Sequence, residues 1–430
     1  MKSMSKLLLG ALLATGATGV VLSAPAVAQK KKEEAKGPTL SAKAAPAAKE
    51  AQDALALNNP AAADPLVTAF EAVATSDFEK YIAARFRYSV EAQKINALRT
   101  ANPKAAVDEN GLARALDTLI ANPVTPAEDR PKFLVARGEM AYASRQYPVA
   151  LDYYNRARAG GYTSDTLALA IVKTKVDSGD VAGGMTELEQ VIAATTAKGQ
   201  KAPVEYYRFA ISQSNKKRLG PQTVAWMNRY LAAHPSPQAW YEVLATYGFQ
   251  QGSTATLTNP QKIDLFRLMR ASGGLPDHYF YIEYAQKAQN AGLPLEAQAV
   301  LKEGIANGKI PASNTEAKAL LPELARAAAA EGSLASLETK ANASPNGQLA
   351  GQTGDAYLSQ GNYTKAAALY RTALQKGGGD TDAINTHLGI ALARSGDKAG
   401  AQAAFGAVKT GPRAEIASFW TTWLNNTPSA

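Results

Sequence analysis

Residues 354–373, with the sequence GDAYLSQGNYTKAAALYRTA, contain the pattern that decides the fold. Gly354 is followed by Ala366 twelve residues later and by Tyr370 four residues after that, with a Gly-Asn-Tyr turn at 361–363 between the two halves. A small residue on each side of the turn lets two helices approach closely, and the aromatic ring fills the space that remains. The segment therefore predicts an antiparallel pair of helices.

The same spacing recurs at four other places, and the unit at Val172 begins 34 residues after the unit at Gly138. Each helix pair leaves an apolar face open, so the pairs must stack to be stable. No stretch alternates between apolar and polar residues with hairpin turns, and we therefore expect an all-α chain with essentially no sheet. The recurring residues are Gly138, Ala150 and Tyr154; Val172, Gly184 and Leu188; Ala285, Ala297 and Leu301; and Gly389, Ala401 and Phe405.

These units resemble the tetratricopeptide repeat family, whose pattern places small and aromatic residues at set positions within 34 residues. Gly354, Tyr357, Ala366, Tyr370 and Ala373 match that pattern best. The resemblance implies an α-solenoid of stacked antiparallel helix pairs, a TPR-like superhelix, in an exported bacterial protein of this family. A generic array of helical hairpins outside the family is the alternative.

Composition and pattern divide the chain into segments, and the least ordered is a tether rich in alanine, proline and lysine that has few large apolar residues. The last segment carries Ile416, Phe419, Trp420 and Trp423 at helical spacing, which is typical of a helix that covers the end of a repeat array. A tryptophan-rich interaction helix is the alternative there. The segments are a signal peptide at 1–28, the tether at 29–63, helical pairs at 64–130, repeats at 131–199, degenerate aromatic-rich repeats at 200–277, a repeat at 278–311, a degenerate pair at 312–346, repeats at 347–411 and the capping helix at 412–430.

Capping residues and prolines predict several helix boundaries. Starts are expected at Asp64-Pro65, at the capping box of Ser76 and Glu79, and at a second box, Thr125-Pro126-Ala127-Glu128. Helix ends are expected at Asn102-Pro103, Asn122-Pro123, His234-Pro235 and Asn259-Pro260.

The first residues of the chain read as an export signal. Lys2 and Lys6 precede the apolar segment 7–22, which is short for a membrane span of about 20 residues. Ala26-Val27-Ala28 fits a cleavage site, so the mature chain is expected to begin at Gln29 and to contain no transmembrane segment. We therefore expect the periplasm of a Gram-negative bacterium, or secretion, with an uncleaved anchor as the alternative.

The sequence offers no constellation for catalysis. It has no cysteine, and His234, His278 and His387 lie in different units without an acidic residue at ligand spacing, which predicts structural or surface roles. Phosphate-binding loops, H-E-x-x-H and G-x-S-x-G are absent. The prediction is a protein that is not an enzyme, with no catalytic residue, metal ligand or cofactor.

The formal net charge of +9 raises the question of nucleic acid. The basic residues are scattered, however, and the longest basic run in the body of the chain is the Lys-Lys-Arg triplet at 216–218. We interpret that triplet as a solvated helix end, with a binding surface as the alternative. The sequence therefore predicts no nucleic-acid partner.

In tetratricopeptide-like arrays the concave groove is lined by the first helix of each pair. The outward positions of these helices are polar and mixed in charge, as an interaction groove should be, although an ordinary solvated face would look similar. The candidate groove residues are Lys132, Glu139, Tyr142, Lys173, Asp177, Tyr279, Gln286, Asn290, Asp355 and Arg394.

Residues 203–284 form a second candidate surface, because they hold 14 of the 32 aromatic residues. Aromatic residues anchor interfaces and also fill the core of irregular repeats. The favoured hypothesis is a non-enzymatic scaffold or assembly factor that binds a protein segment in the groove and serves the bacterial cell envelope. The alternative is a glycan- or peptidoglycan-binding module that uses the aromatic segment.

We predict export with cleavage after Ala28, because a basic start, an apolar segment and an A-x-A site follow one another. N-terminal sequencing of the protein from the envelope fraction should begin Gln29-Lys30-Lys31. Recovery of the full-length chain from the cytoplasm would contradict both the localisation and the proposed cleavage site.

Overall fold

The computed structural model describes residues 38–103, 106–330 and 333–427, and within these ranges it contains 21 helices and no strand. The predicted signal peptide and residues 29–37 lie outside the described residues. The predicted fold class, an all-α solenoid of packed helix pairs, is confirmed. The chain divides into two compact units between Ala197 and Lys198.

The first unit is built from helices that pack against their neighbours in sequence. Large apolar side chains such as Phe70 and Leu116 are fully buried between them. The helices of this unit are α1 (Ala44–Ala56), α2 (Pro60–Val73), α3 (Asp77–Ala101), α4 (Asn110–Ala121), α5 (Arg130–Ala143), α6 (Tyr147–Ala159), α7 (Asp165–Asp177) and α8 (Val181–Ala197).

Residues 44–63, predicted as part of a flexible tether, instead form α1 and the start of α2. The reason lies in the alanines, because Ala44, Ala48 and Ala51 are buried along one side of α1. Small side chains at helical spacing let α1 pack closely against α2 without large apolar residues. Composition alone therefore underestimated the order of this segment.

The predicted start at Asp64-Pro65 is wrong, because α2 begins at Pro60 and Pro65 lies inside the helix. Asn59 supplies the cap, and its side chain accepts a hydrogen bond from the backbone of Ala62 at 3.3 Å. The capping box at the start of α3 is confirmed.

Two other boundaries also differ from the prediction. Thr125 does not cap a helix, since its hydroxyl donates to the carbonyl of Leu119 at 2.6 Å and α5 begins at Arg130. Asn259-Pro260 begins a helix rather than ending one, because Thr258 forms a capping box in front of it. The remaining predicted ends, at Asn102, Asn122 and His234, coincide with helix C-caps.

The recurring small and aromatic residues meet within each helix pair. A Cβ atom added to Gly138 would lie 2.5 Å from the ring of Tyr154, and one added to Gly354 would lie 2.7 Å from the ring of Tyr370. Only glycine lets the aromatic ring of the second helix rest directly on the backbone of the first. The repeat spacing is thus a packing requirement of each pair.

The second unit continues the pairing of helices and buries Tyr247, Tyr284 and Tyr370 in its interior. Its helices are α9 (Val204–Lys216), α10 (Gly220–Ala233), α11 (Pro237–Gly248), α12 (Asn259–Ala271), α13 (His278–Asn290), α14 (Pro294–Ala306), α15 (Thr315–Ala330), α16 (Leu334–Ala343), α17 (Gln348–Ser359), α18 (Tyr363–Lys376), α19 (Thr381–Ser395), α20 (Lys398–Ala407) and α21 (Gly411–Asn426).

Helix α21 packs against two distant parts of the second unit. On one side, Trp420 stacks on Phe405 of α20 with ring centroids 6.0 Å apart. On the other side, Asn228 of α10 donates to Ser418 at 3.0 Å, across 190 positions in the sequence. The helix therefore covers the final pair and also joins it to the beginning of the unit.

We predict that Ala150→Leu and Ala366→Leu each destabilise the protein by about 1–3 kcal/mol, because both alanines are 0% exposed where two helices meet. Urea unfolding followed by circular dichroism measures the loss. The matched control is Ala368→Leu, at an exposed position of the same helix, α18. Equal stability of buried and exposed variants would show that the repeat register is wrong.

Candidate binding surfaces

A buried carboxylate, Asp264 of α12, organises the polar interior of the second unit. Its side chain is 0% exposed and accepts hydrogen bonds from Arg267 at 3.2 Å and from Arg413. His387 of α19 contacts Asp264 through Nε2 at 2.9 Å and Asp355 of α17 through Nδ1 at 2.7 Å. The cluster therefore joins α12 to α17, α19 and α21.

The charges of this cluster compensate one another. Burial alone would lower the pKa of His387, but the carboxylates of Asp355 and Asp264 raise it to about 9, so the imidazole is protonated at neutral pH. Burial would raise the pKa of Asp264, but His387, Arg413 and Arg267 lower it to about 2. No local pattern could indicate this site, because His387 lies 123 residues from Asp264.

Three of the predicted groove residues come together in the first unit. The Nζ atom of Lys173 lies 4.1 Å from the ring centroid of Tyr142 and 3.2 Å from the carboxylate of Asp177. The Tyr142 hydroxyl donates to the same carboxylate. The cluster links α5 to α7, the first helices of two successive pairs, and its two charges already neutralise each other.

Two other predicted groove residues of the first unit lie apart from that cluster. Lys132 pairs with Asp129 at 2.8 Å, at the start of its own helix. Glu139 is partly buried, and this burial raises the pKa of its carboxyl to about 7. A carboxyl in such surroundings is a poor attachment point for a cationic partner, because the raised pKa reduces its negative charge near neutral pH.

The predicted residues on α13 remain accessible to different degrees. Tyr279 is 70% exposed, and its ring centroid lies 3.9 Å from that of His278. Asn290 is exposed, whereas Gln286 donates to Glu316 of α15 at 2.6 Å. The three residues share a helix but do not converge on one point.

Asp355 and Arg394 were both expected in an open groove; the structure places Asp355 against neighbouring helices, whereas Arg394 is exposed. Asp355 accepts a hydrogen bond from Tyr370 at 2.7 Å in addition to its contact with His387. Arg394 contacts the Tyr363 hydroxyl at 3.4 Å and remains exposed, in the lining of a small polar pocket. The contact of Asp355 with His387 of α19 is one that the register of a single helix pair does not predict.

An open groove of about 560 Å³ lies between α9 and α11, the first helices of two successive pairs. Arg208 and Glu242 face each other across it, with hydrogen bonds of 2.8 Å and 3.0 Å. Tyr230 of α10 contributes to its lining, and Lys216 stands at one end. The basic triplet 216–218 is exposed there, so the groove has a cationic end.

A larger cleft of about 860 Å³ lies in the first unit, lined by α2, α3 and α4. Its lining includes the alanines Ala83 and Ala84 together with three basic and four acidic side chains. Arg87 forms hydrogen bonds with Glu71 at 2.6 Å and 2.9 Å, and its pKa is raised by that carboxylate. The cleft therefore presents no strong charge of either sign.

The aromatic segment 203–284 serves mainly as core. Nine of its 14 aromatic residues are buried, and rings such as those of Phe266 and Tyr284 stack on each other 5.0 Å apart. Of the large aromatic residues in this segment that the structure describes, Tyr279 is strongly exposed. One exposed ring does not form the platform that the glycan alternative requires.

Within residues 38–103, 106–330 and 333–427, no group of three or more histidine and acidic side chains has an arrangement that could hold a metal ion. Over the same ranges no helix combines the length and the apolar character needed to cross a membrane. The surfaces described above are therefore the candidates for function in the described part of the chain.

No family model matches this sequence, and no curated protein matches it either. Solved structures do show similarity. The pentatricopeptide repeat protein PPR10 from maize shares 16% identity with a TM-score of 0.32, covering 87% of this chain and 54% of its own. The same protein in complex with an 18-nt psaJ RNA element shares 12% identity with a TM-score of 0.23, covering 87% and 60%. This chain thus spans little more than half the length of the proteins it matches.

The predicted partner, a protein of the cell envelope with nucleic acid excluded, is contradicted by this comparison, because the second of the two structures is of a complex with RNA. The exclusion relied on the scattering of basic residues along the sequence. That reasoning fails for a repeat array, since side chains distant in sequence can line one surface.

We predict that His387→Gln destabilises the protein most at acidic to neutral pH. The folded-state pKa of about 9 lies above the unfolded value of about 6.5, so the contribution is complete below about pH 6.5 and is lost as the pH rises through 9. The pKa difference corresponds to about 3 kcal/mol. Urea unfolding of both proteins across this range measures it.

The matched control is His278→Gln, because His278 lies at the start of α13 beside the exposed Tyr279. Its stability should follow that of the original protein at every pH. A constant difference between His387→Gln and the original protein over the whole range would show that His387 is not the titrating group.

Proposed function

We propose that this protein is a non-enzymatic helical-repeat scaffold that binds an extended, negatively charged chain in the groove between α9 and α11. The observation that carries the proposal is the exposed Lys216 in the lining of that open groove, which is followed directly by the exposed Lys217 and Arg218. An extended polyanion can lie along the groove with its charges near the triplet, while the pair of Arg208 and Glu242 fixes the width between the two helices.

The distribution of charge over the two units supports this choice of groove. Residues 198–430 contain 23 lysines and arginines against 16 acidic residues, whereas residues 1–197 contain 23 against 21. The larger cleft of the first unit lies in the nearly neutral part of the chain. Association with a polyanion is steered by such an excess and is weakened by salt.

The side chains that line the groove between α9 and α11 fit an elongated ligand better than a compact one. Ser212 and Asn215 supply short polar groups along one wall, and Val243 and Ile211 supply apolar contacts. Tyr230 is hydrogen-bonded to Glu242 at 3.2 Å, which holds the phenol in place. A single-stranded RNA is a chain of this kind.

The cellular location in which the protein acts is a proposal that rests on the first 28 residues. If the chain is exported as its basic start and A-x-A site indicate, the polyanion is one of the cell envelope or of the surroundings. Sequencing of the mature N terminus distinguishes this setting from the cytoplasm.

We expect the full chain to bind a labelled single-stranded RNA or a labelled polyglutamate peptide in fluorescence anisotropy, and Lys216→Gln/Lys217→Gln to weaken that binding about tenfold at low salt. For RNA, each lost phosphate contact should reduce the slope of log K against log salt by about 0.7. RNA binding alone would indicate a nucleic-acid partner, and polyglutamate binding alone an acidic polypeptide.

The matched control is Lys302→Gln/Lys340→Gln, which removes the same charge from exposed positions on α14 and α16. It should retain the original affinity. Equal weakening in both double variants would mean that only bulk charge matters, and absence of binding to either polyanion would overturn the proposal.

A further inference from the structure

Arg208 and Glu242 face each other across the groove between α9 and α11, and they lie 34 positions apart in the sequence. That separation is one repeat period, so the two residues occupy equivalent positions on the first helices of successive pairs. Equivalent positions of stacked pairs contribute to the same surface of an array, which here is the wall of the groove. An ion pair therefore lies where a bound chain would pass.

Glu242 occupies one whole edge of the arginine. Arg208 donates from Nε to one carboxylate oxygen at 3.0 Å and from Nη2 to the other at 2.8 Å. This two-point geometry is the one in which arginine binds the carboxylate or phosphate group of a ligand. Glu242 thus supplies, from within the chain, the anionic group that Arg208 would otherwise take from a ligand.

Two further donors hold the carboxylate of Glu242 in this position. Tyr230 of α10 donates from its hydroxyl at 3.2 Å, and Gln238, one turn earlier on α11, donates from its amide at 3.0 Å. The Glu242 side chain is 29% exposed, whereas that of Arg208 is 49% exposed. The carboxylate is therefore fixed against the wall of the groove, and the arginine is the more accessible partner.

The ion pair also determines the net charge of the groove. Three residues of the lining carry a formal charge, and the two positive charges of Arg208 and Lys216 with the one negative charge of Glu242 sum to +1. Affinity for a polyanion depends on the number of cations that its phosphates can neutralise. One side chain thus cancels half of the positive charge of the lining.

We propose that Glu242 is an internal competitor of the ligand, which withholds Arg208 from the phosphate groups of a single-stranded RNA and so keeps the groove at low affinity. This inference rests on the proposed function, because it concerns the same groove. In the original protein the exposed Lys216 is the lining cation that is open to a phosphate. Removal of the carboxylate alone gives the groove a second available cation.

Glu242→Gln removes the charge but keeps an acceptor for Tyr230, and circular dichroism checks that the helical content is unchanged. In fluorescence anisotropy with a labelled single-stranded RNA, this variant of the full chain should bind about tenfold more tightly at low salt. The slope of log K against log salt should steepen by about 0.7, as expected for one more phosphate contact. The matched control is Glu323→Gln, at an exposed position of α15 in the same unit, which should keep the original affinity.

The gain in affinity must require Arg208, so Arg208→Gln/Glu242→Gln should bind no more tightly than the original protein. Should the double variant keep the tighter binding, or Glu323→Gln share it, bulk charge is responsible and the inference is wrong. Unchanged affinity of Glu242→Gln, or of Glu242→Ala where the amide variant folds poorly, would overturn it as well and leave the groove as a binding site.

An equal gain with a labelled polyglutamate peptide would overturn the assignment of Arg208 to phosphate groups. If neither the original protein nor Glu242→Gln binds RNA, the proposed function fails together with this inference. Binding of RNA by the original protein without a gain in Glu242→Gln separates the two, because only the role of Glu242 is then lost.

Discussion

The second unit depends on one buried charge, the carboxylate of Asp264. A carboxylate removed from water is strongly unfavourable unless cations and hydrogen-bond donors surround it. Arg267 comes from the same helix, but His387 and Arg413 must be brought from α19 and α21. These helices can therefore occupy only an arrangement that places both cations at Asp264. Removal of any one partner leaves an uncompensated charge in the interior.

The same constraint determines which surfaces remain available to a partner. With α21 packed against α10 and α20, Asp355 contacts neighbouring helices, whereas the groove between α9 and α11 stays open. A buried ion cluster is weak support for stability but can select one arrangement among several. Here it selects the arrangement that leaves the groove between α9 and α11 open.

Contacts between residues of consecutive helices could be predicted from the sequence, whereas contacts between residues far apart in the sequence could not. Gly138 and Tyr154 are 16 residues apart on two consecutive helices, so their meeting follows from helix geometry and a short turn. Asp264 and His387 are 123 residues apart, and no periodicity connects them. Tyr142, Lys173 and Asp177 lie together because they belong to neighbouring pairs, where the register of a repeat is still reliable. Alanine in α1 was misjudged because its small side chains carry little hydrophobic signal although they are fully buried.

The contact between Asn228 and Ser418 has a consequence for how the protein is made. A chain emerges from the ribosome from its N terminus, and the helices α9 to α12 are complete long before α21 exists. Until α21 is synthesised, Tyr247 of α11 lacks the aromatic partner that Phe419 provides, and Asp264 lacks Arg413. Local helix pairs can form early, but contacts that span 190 residues form late and slowly. During that interval the nascent unit exposes apolar side chains that α21 later covers.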